Sequence, residues 1–186
     1  MRGLVGGLVL ALAIFLAIPI QMFIPGVDPL FGARVILVPM LFCYGALTLP
    51  TWGMLLLAIY TGLVMDLSTL HVVGSQVEIA LGWSMVYFVV FGALSHGLQP
   101  AFIRGHWWIH ILLAAAGTSV FLALQYVMIC FRREGFVFNE TIFWRIIGPG
   151  LLAAIFAPLV HLIATWGSYL VPQGGVGRPY RGGARR

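Results

Sequence analysis

The sequence predicts an all-α polytopic membrane protein, a bundle of six transmembrane helices, and three observations lead there. The first is composition: 61% of the 186 residues are hydrophobic and 8% charged, against about 25% charged in soluble domains. The second is that the apolar residues fall in runs of membrane length, since a spanning helix needs about 20 of them. The third is that charges gather in the links and near the ends of those runs. No stretch is polar enough to form a separate soluble domain. The chain is therefore read as one membrane domain, 1–170, followed by a flexible basic tail, 171–186.

The first run opens at Met1-Arg2-Gly3 and stays apolar to about Ile24, with a single Gln21. It is too long for the apolar core of a signal peptide and reads as an uncleaved first span. Pro25 to Phe31 is a turn-rich link, and Arg34 opens the second run. From Val35 to Leu67 the chain is apolar for longer than one helix requires, so it must turn. Leu49-Pro50-Thr51 is the corner, because proline excludes its predecessor from helical geometry. This sets spans two and three at about Arg34 to Leu49 and Thr51 to Leu67. The fourth run, Val77 to Leu98, follows a polar link; the fifth covers about Trp107 to Phe131. The sixth, about Thr141 to Leu170, is long, and Pro149 and Pro158 are expected to kink it or delay its start. Its Gly148, Gly150, Ala153, Ala154 and Ala157 suit close helix packing.

All ten basic residues are arginine, four of them (Arg178, Arg181, Arg185, Arg186) in the tail. An even number of spans puts both ends on one side. That side carries Arg2, Arg104 and the tail arginines, against Arg34, Arg132 and Arg133 opposite, which predicts cytoplasmic termini. The tail is expected to meet anionic membrane lipids. No folded basic surface suggests nucleic acid. Cys43 and Cys130 lie within apolar runs and carry no metal-ligand spacing. Asn139-Glu140-Thr141 matches the short glycosylation pattern.

With this topology Gln21, Arg34, Asp66, Glu78 and Arg145 all come within about two turns of the outer boundary. A carboxylate at membrane depth is costly without a partner, so two acids and two arginines are expected to converge there. The cluster has three readings: a network that fixes helix packing, a site for a ligand or partner helix, or a proton relay. A relay needs ionisable groups through the whole membrane depth, and none of the five lies in the inner half. Gly74, Glu78 and Gly82 recur every four residues and are expected to place Glu78 on a slim helix face; Gly62 precedes Asp66 by the same interval. His96, His106, His110 and His161 fall in the other half and read as interfacial residues beside Trp107 and Trp108. His106 and His110 have a chelating spacing without a third ligand at their level. No metal or cofactor is expected, and no nucleophile, base and metal set suggests an enzyme.

The stretch Gly62-Leu63-Val64-Met65-Asp66-Leu67-Ser68, with Gly74 eight residues after the aspartate, resembles the G-L-x-x-D-L-x segment of the rod shape-determining protein MreD family. Gln21, Arg34, the turn before Gly53 and Ala157-Pro158-Leu159 agree, over about residues 12 to 170. The chain departs from the family pattern at Val35-Ile36 and at His71-Val72-Val73. The resemblance implies a six-helix fold similar to the substrate-binding subunits of energy-coupling-factor vitamin transporters, used as a scaffold in the bacterial inner membrane. It implies partners: an MreC-like bitopic protein, a RodA-type glycosyltransferase, a class B penicillin-binding transpeptidase and MreB filaments of the cell-elongation (peptidoglycan synthesis) machinery. Catalysis would belong to those partners. The alternative is a substrate-binding subunit of such a vitamin transporter, with Trp83 and Tyr87 near the outward cluster.

Overall fold

In the computed structural model, residues 2–68, 72–73, 76–77, 82–132, 135–136 and 138–170 are described. The fold is helical: α1 (Arg2–Phe23), α2 (Leu37–Thr48), α3 (Thr51–Ser68), α4 (Trp83–Gly97), α5 (Gln99–Ile103), α6 (Trp108–Arg132) and α7 (Glu140–Leu170). One minimal antiparallel ladder, β1 (Val72–Val73) with β2 (Gln76–Val77), interrupts them between α3 and α4.

The longer helices alternate in direction. At one end of the bundle Gln21 of α1 meets Leu37 of α2, and Asp66 of α3 meets Ser84 of α4. At the other end Gly6 lies beside Leu49, and Thr51 bonds His96. Large apolar side chains face outward, among them Leu56, Leu94, Leu112, Ile155 and Ile163. An exposed apolar surface of this extent belongs in lipid.

Four helical segments are long and apolar enough to cross a membrane: Val5–Phe23, Thr51–Ser68, Trp108–Arg132 and Glu140–Ile163. The two other helices of the expected six spans fall short, α2 with 12 residues and α4 with 15. At 1.5 Å per residue they reach about 18 and 22 Å, against a hydrocarbon core of about 30 Å. Both starts are later than the apolar runs imply. Ile36 is extended, at φ −108° and ψ 105°, so α2 begins only at Leu37. The expected fourth span from Val77 is a strand at its first residue, and α4 waits for Gly82, which adopts φ 97°. Pro149 and Pro158 lie inside α7, which starts ahead of both at Glu140. There Asn139 accepts the amide of Ile142 (3.0 Å), the cap position that asparagine favours.

α2 is the centre. It touches every other helix, and Val38, Met40, Phe42, Cys43, Ala46 and Leu47 are buried. Phe42 packs edge-on against Phe88 at 4.9 Å, and Phe88 meets Phe121 at 5.5 Å. Gly92 clears the space above Phe42 and Met54. On the far side Met40 joins Ala114, Ala153 and Ala157 of α6 and α7. Gly148 lies against Ala33, and Gly150 against Ser119 and the Ala115 carbonyl.

The end of α2 shows why such a helix needs help. Residue 50 would donate its amide to the Ala46 carbonyl, but proline has none. His96 of α4 supplies the missing donor: Nδ1 lies 3.2 Å from the Ala46 oxygen, while Nε2 meets the Thr51 hydroxyl at 3.1 Å. Gln99 donates to the Leu49 carbonyl at 3.3 Å. His96→Ala is expected to cost about 1 kcal/mol of stability. In a Pro50→Ala background, where the amide is restored, the same change should cost clearly less. Unfolding of the four proteins in one detergent measures the coupling.

Candidate functional site

The site is built where α3 meets α4. Gly62 lies directly on the backbone of Met85, and a Cβ there would collide with it. Without that close approach α4 could not bring its first turn to the carboxylate one helical turn further along α3. Asp66 is 4% exposed. Its Oδ2 accepts the amide of Gly82 at 2.6 Å and its Oδ1 the amide of Ser84 at 3.3 Å. Both oxygens are thus committed to the N-terminus of α4, whose own cap residue, Gly82, has no side chain to offer. The first amides of any helix lack internal partners and carry a partial positive charge. Asp66 satisfies two of them and places negative charge where it is favourable.

Gln21 plays the same part for α2. Its Oε1 accepts the amide of Leu37 at 3.2 Å, because Ile36 at the cap position has no polar side chain. Two residues expected in a common polar cluster are therefore helix caps supplied from a neighbouring helix. The arginines stand apart from them. Arg34 and Arg145 are both exposed, and no ion pair among the described residues joins either to Asp66. α7, which carries Arg145, packs on α2, α6 and the Asp28–Leu30 turn, not on α3. Asp66 has found backbone amides where the sequence analysis expected guanidinium groups. Glu78 and Gly74 lie outside the described residues, as does the tail from 171.

Gly82 needs a correction. It was expected on a helix face with Gly74 and Glu78, giving room for a neighbour. It stands ahead of α4 in the left-handed region, and no atom within 4 Å would meet a Cβ there. Its use is conformational: φ 97° is open to glycine at little cost, and it turns the amide towards Asp66. Gly62 is the one that a neighbour approaches.

The histidines also fall differently. His110 is fully buried, not interfacial, and its Nε2 lies 3.1 Å from the Met40 carbonyl of α2. Its ring meets Tyr44 at 5.9 Å and His161 at 6.2 Å. The signal for His96 was present in Pro50, which leaves a carbonyl open; nothing local marks His110 as a core residue. Cys43 is buried, and both cysteines are free. Among the described residues no three His, Cys, Asp or Glu side chains gather as metal ligands. What this arrangement does chemically is hold α3 and α4 together and cap the first turn of α4.

Compared with protein-family models, with curated proteins and with solved structures, the chain matches none.

The clamp orders a set of variants. Asp66→Ala leaves two amides without partners and should cost about 3 kcal/mol. Asp66→Asn keeps one acceptor and should cost roughly half as much. Gly62→Val forces α4 off Met85 and should match the alanine variant although it removes no hydrogen-bonding group. Thermal unfolding in a single detergent gives the order.

Proposed function

We propose that the protein is a non-enzymatic scaffold subunit of the bacterial cell-elongation complex, seated in the inner membrane with six passes and both termini in the cytoplasm. The observation that carries this reading is the use made of Gly62 and Asp66. These are the residues on which the resemblance to the MreD family rests, and they lock two helices together through backbone amides. A motif spent on architecture suits a scaffold, whose output is the placement of partners. In this reading the short helices α2 and α4 also cross the bilayer, which thins locally or is spanned with help from the flanking links.

The partners proposed are an MreC-like bitopic protein, a RodA-type glycosyltransferase, a class B transpeptidase and MreB filaments. Their membrane helices would pack on the outward apolar faces. Association between helices in lipid is driven by packing and hydrogen bonds, since lipid tails are as apolar as the side chains. A bundle that keeps its shape offers such faces in a fixed arrangement.

Mild solubilisation of native membranes tests the proposal. Purification of the tagged protein should recover an MreC-like partner or a wall-synthesis enzyme, and depletion should turn rod-shaped cells round. Recovery of the protein alone, with cell shape unaffected, removes the proposal. Asp66→Ala, expressed at equal level, should retain less than about a tenth of the partner, which corresponds to about 1.4 kcal/mol of lost association.

A further inference from the structure

The first turn of α4 holds polar groups that the clamp does not use. Ser84 is fully buried, and among the described residues its Oγ has no hydrogen-bond partner; the same holds for the buried indole Nε1 of the adjoining Trp83. Other helical hydroxyls in this protein solve the problem by donating to the carbonyl four residues earlier: Thr61 to Leu57, Ser95 to Phe91 and Thr118 to Ala114. Ser84 cannot. It is the second residue of α4, so the helix itself offers it no carbonyl four residues earlier. Leaving a hydroxyl or an indole N–H buried without a partner costs about 1–3 kcal/mol each.

Asp66 stands in the same turn. Among the described residues each of its oxygens accepts one backbone amide, and a carboxylate oxygen has a second lone pair to offer. The turn thus presents an indole donor, a hydroxyl that gives or takes, and a carboxylate acceptor. An anion is repelled by Asp66. A cation is disfavoured by the positive end of α4 and by the buried indole N–H, which is a donor only. A neutral oxygen that both accepts and donates fits all three groups.

We propose that the N-terminal turn of α4, formed by Asp66, Trp83 and Ser84, is a buried binding site for a small neutral molecule bearing a hydroxyl. The oxygen of that group accepts from Trp83 and Ser84, and its O–H donates a hydrogen bond to Asp66. An ordered water and the alcohol group of an organic ligand share this chemistry. The site is independent of the scaffold reading, and neither Trp83 nor Ser84 belongs to the clamp by its side chain.

The test uses the full chain purified in a mild detergent, with Ser84→Ala and Trp83→Phe made separately. Ser84→Ala removes a polar atom and little volume; Trp83→Phe also removes part of a ring, so its stability is read together with the indole vibration. If the site is occupied, both variants lose a partner's hydrogen bond and unfold about 2–4 °C lower. The indole N–H vibration of Trp83, taken as the ultraviolet resonance Raman difference between wild type and W83F, then sits at its hydrogen-bonded position and shifts in S84A. Native mass spectrometry separates the two sources. A fixed mass increment that both variants lose identifies an organic ligand; lower stability with no increment identifies water. If both variants unfold at the same or a higher temperature, or the indole vibrates as a free N–H, the site has no occupant and the proposal fails.

Discussion

The bond on which this structure depends is the one between Asp66 and the amides that open α4. A helix that starts inside a bilayer exposes amides to a medium without water, at a cost of several kcal/mol for each. α4 does start deep. Phe88 packs on Phe121; from there α4 runs back only about 8 Å to Trp83, while α6 continues about 16 Å to Arg132. Ser84 is fully buried, so water is no natural partner for its amide. A carboxylate in the same place would by itself be as costly as the amides. Brought together, each removes the penalty of the other, and the helix dipole adds to the attraction. Gly62 permits the approach, and Gly82 turns the amide. The one-turn spacing from Gly62 to Asp66 is thus a single device.

α2 extends the same logic to both ends of one helix. It is short, buried and in contact with every other helix, so its ends lie in protein and not in water. Gln21 takes the first amide, His96 and Gln99 serve the last carbonyls, and His110 adds a bond at Met40. None of these four belongs to α2. Each closes a distance of 16 to 70 residues along the chain, so each bond also fixes how one helix lies against another. Polar side chains within the apolar runs act here as remote caps, and the register of the bundle is set by backbone groups that have to be satisfied.

Much of this was legible in the sequence, and the rest was hidden for definite reasons. The apolar runs, the corner at Pro50 and the need of Asp66 for a partner followed from hydropathy and desolvation. The identity of that partner did not, because every residue carries a backbone amide and the sequence shows only side chains. Guanidinium groups were the visible candidates for Asp66, and they lie elsewhere. The start of α4 was misplaced because Val77 to Leu98 is apolar but for Glu78 and a few other polar residues, and apolarity does not distinguish the strand at Val77 from the helix at Trp83. Gly82 could be read as a packing residue or as a turn, and its left-handed φ decides for the turn. His110 was placed at the interface by its neighbours Trp107 and Trp108, which are half exposed while it is fully buried. In a helix that is apolar all round, periodicity does not mark the inward face.

The same accounting limits how such a protein can recognise anything in the membrane. Asp66, Gln21, His96, Gln99 and His110 are occupied in holding the fold, and a side chain that caps a helix cannot leave it for a partner without reopening the cost it removed. What α3 and α4 turn outward is apolar: Leu56, Leu63 and Leu67 on one, Val86, Val90 and Leu94 on the other. The second set repeats every four residues and forms one straight ridge. A ridge binds by fit, and fit requires that α4 hold its position and tilt. Those are set at one end by Asp66 and at the other by His96, so the two polar contacts act on recognition through the helix they pin, without touching what is recognised.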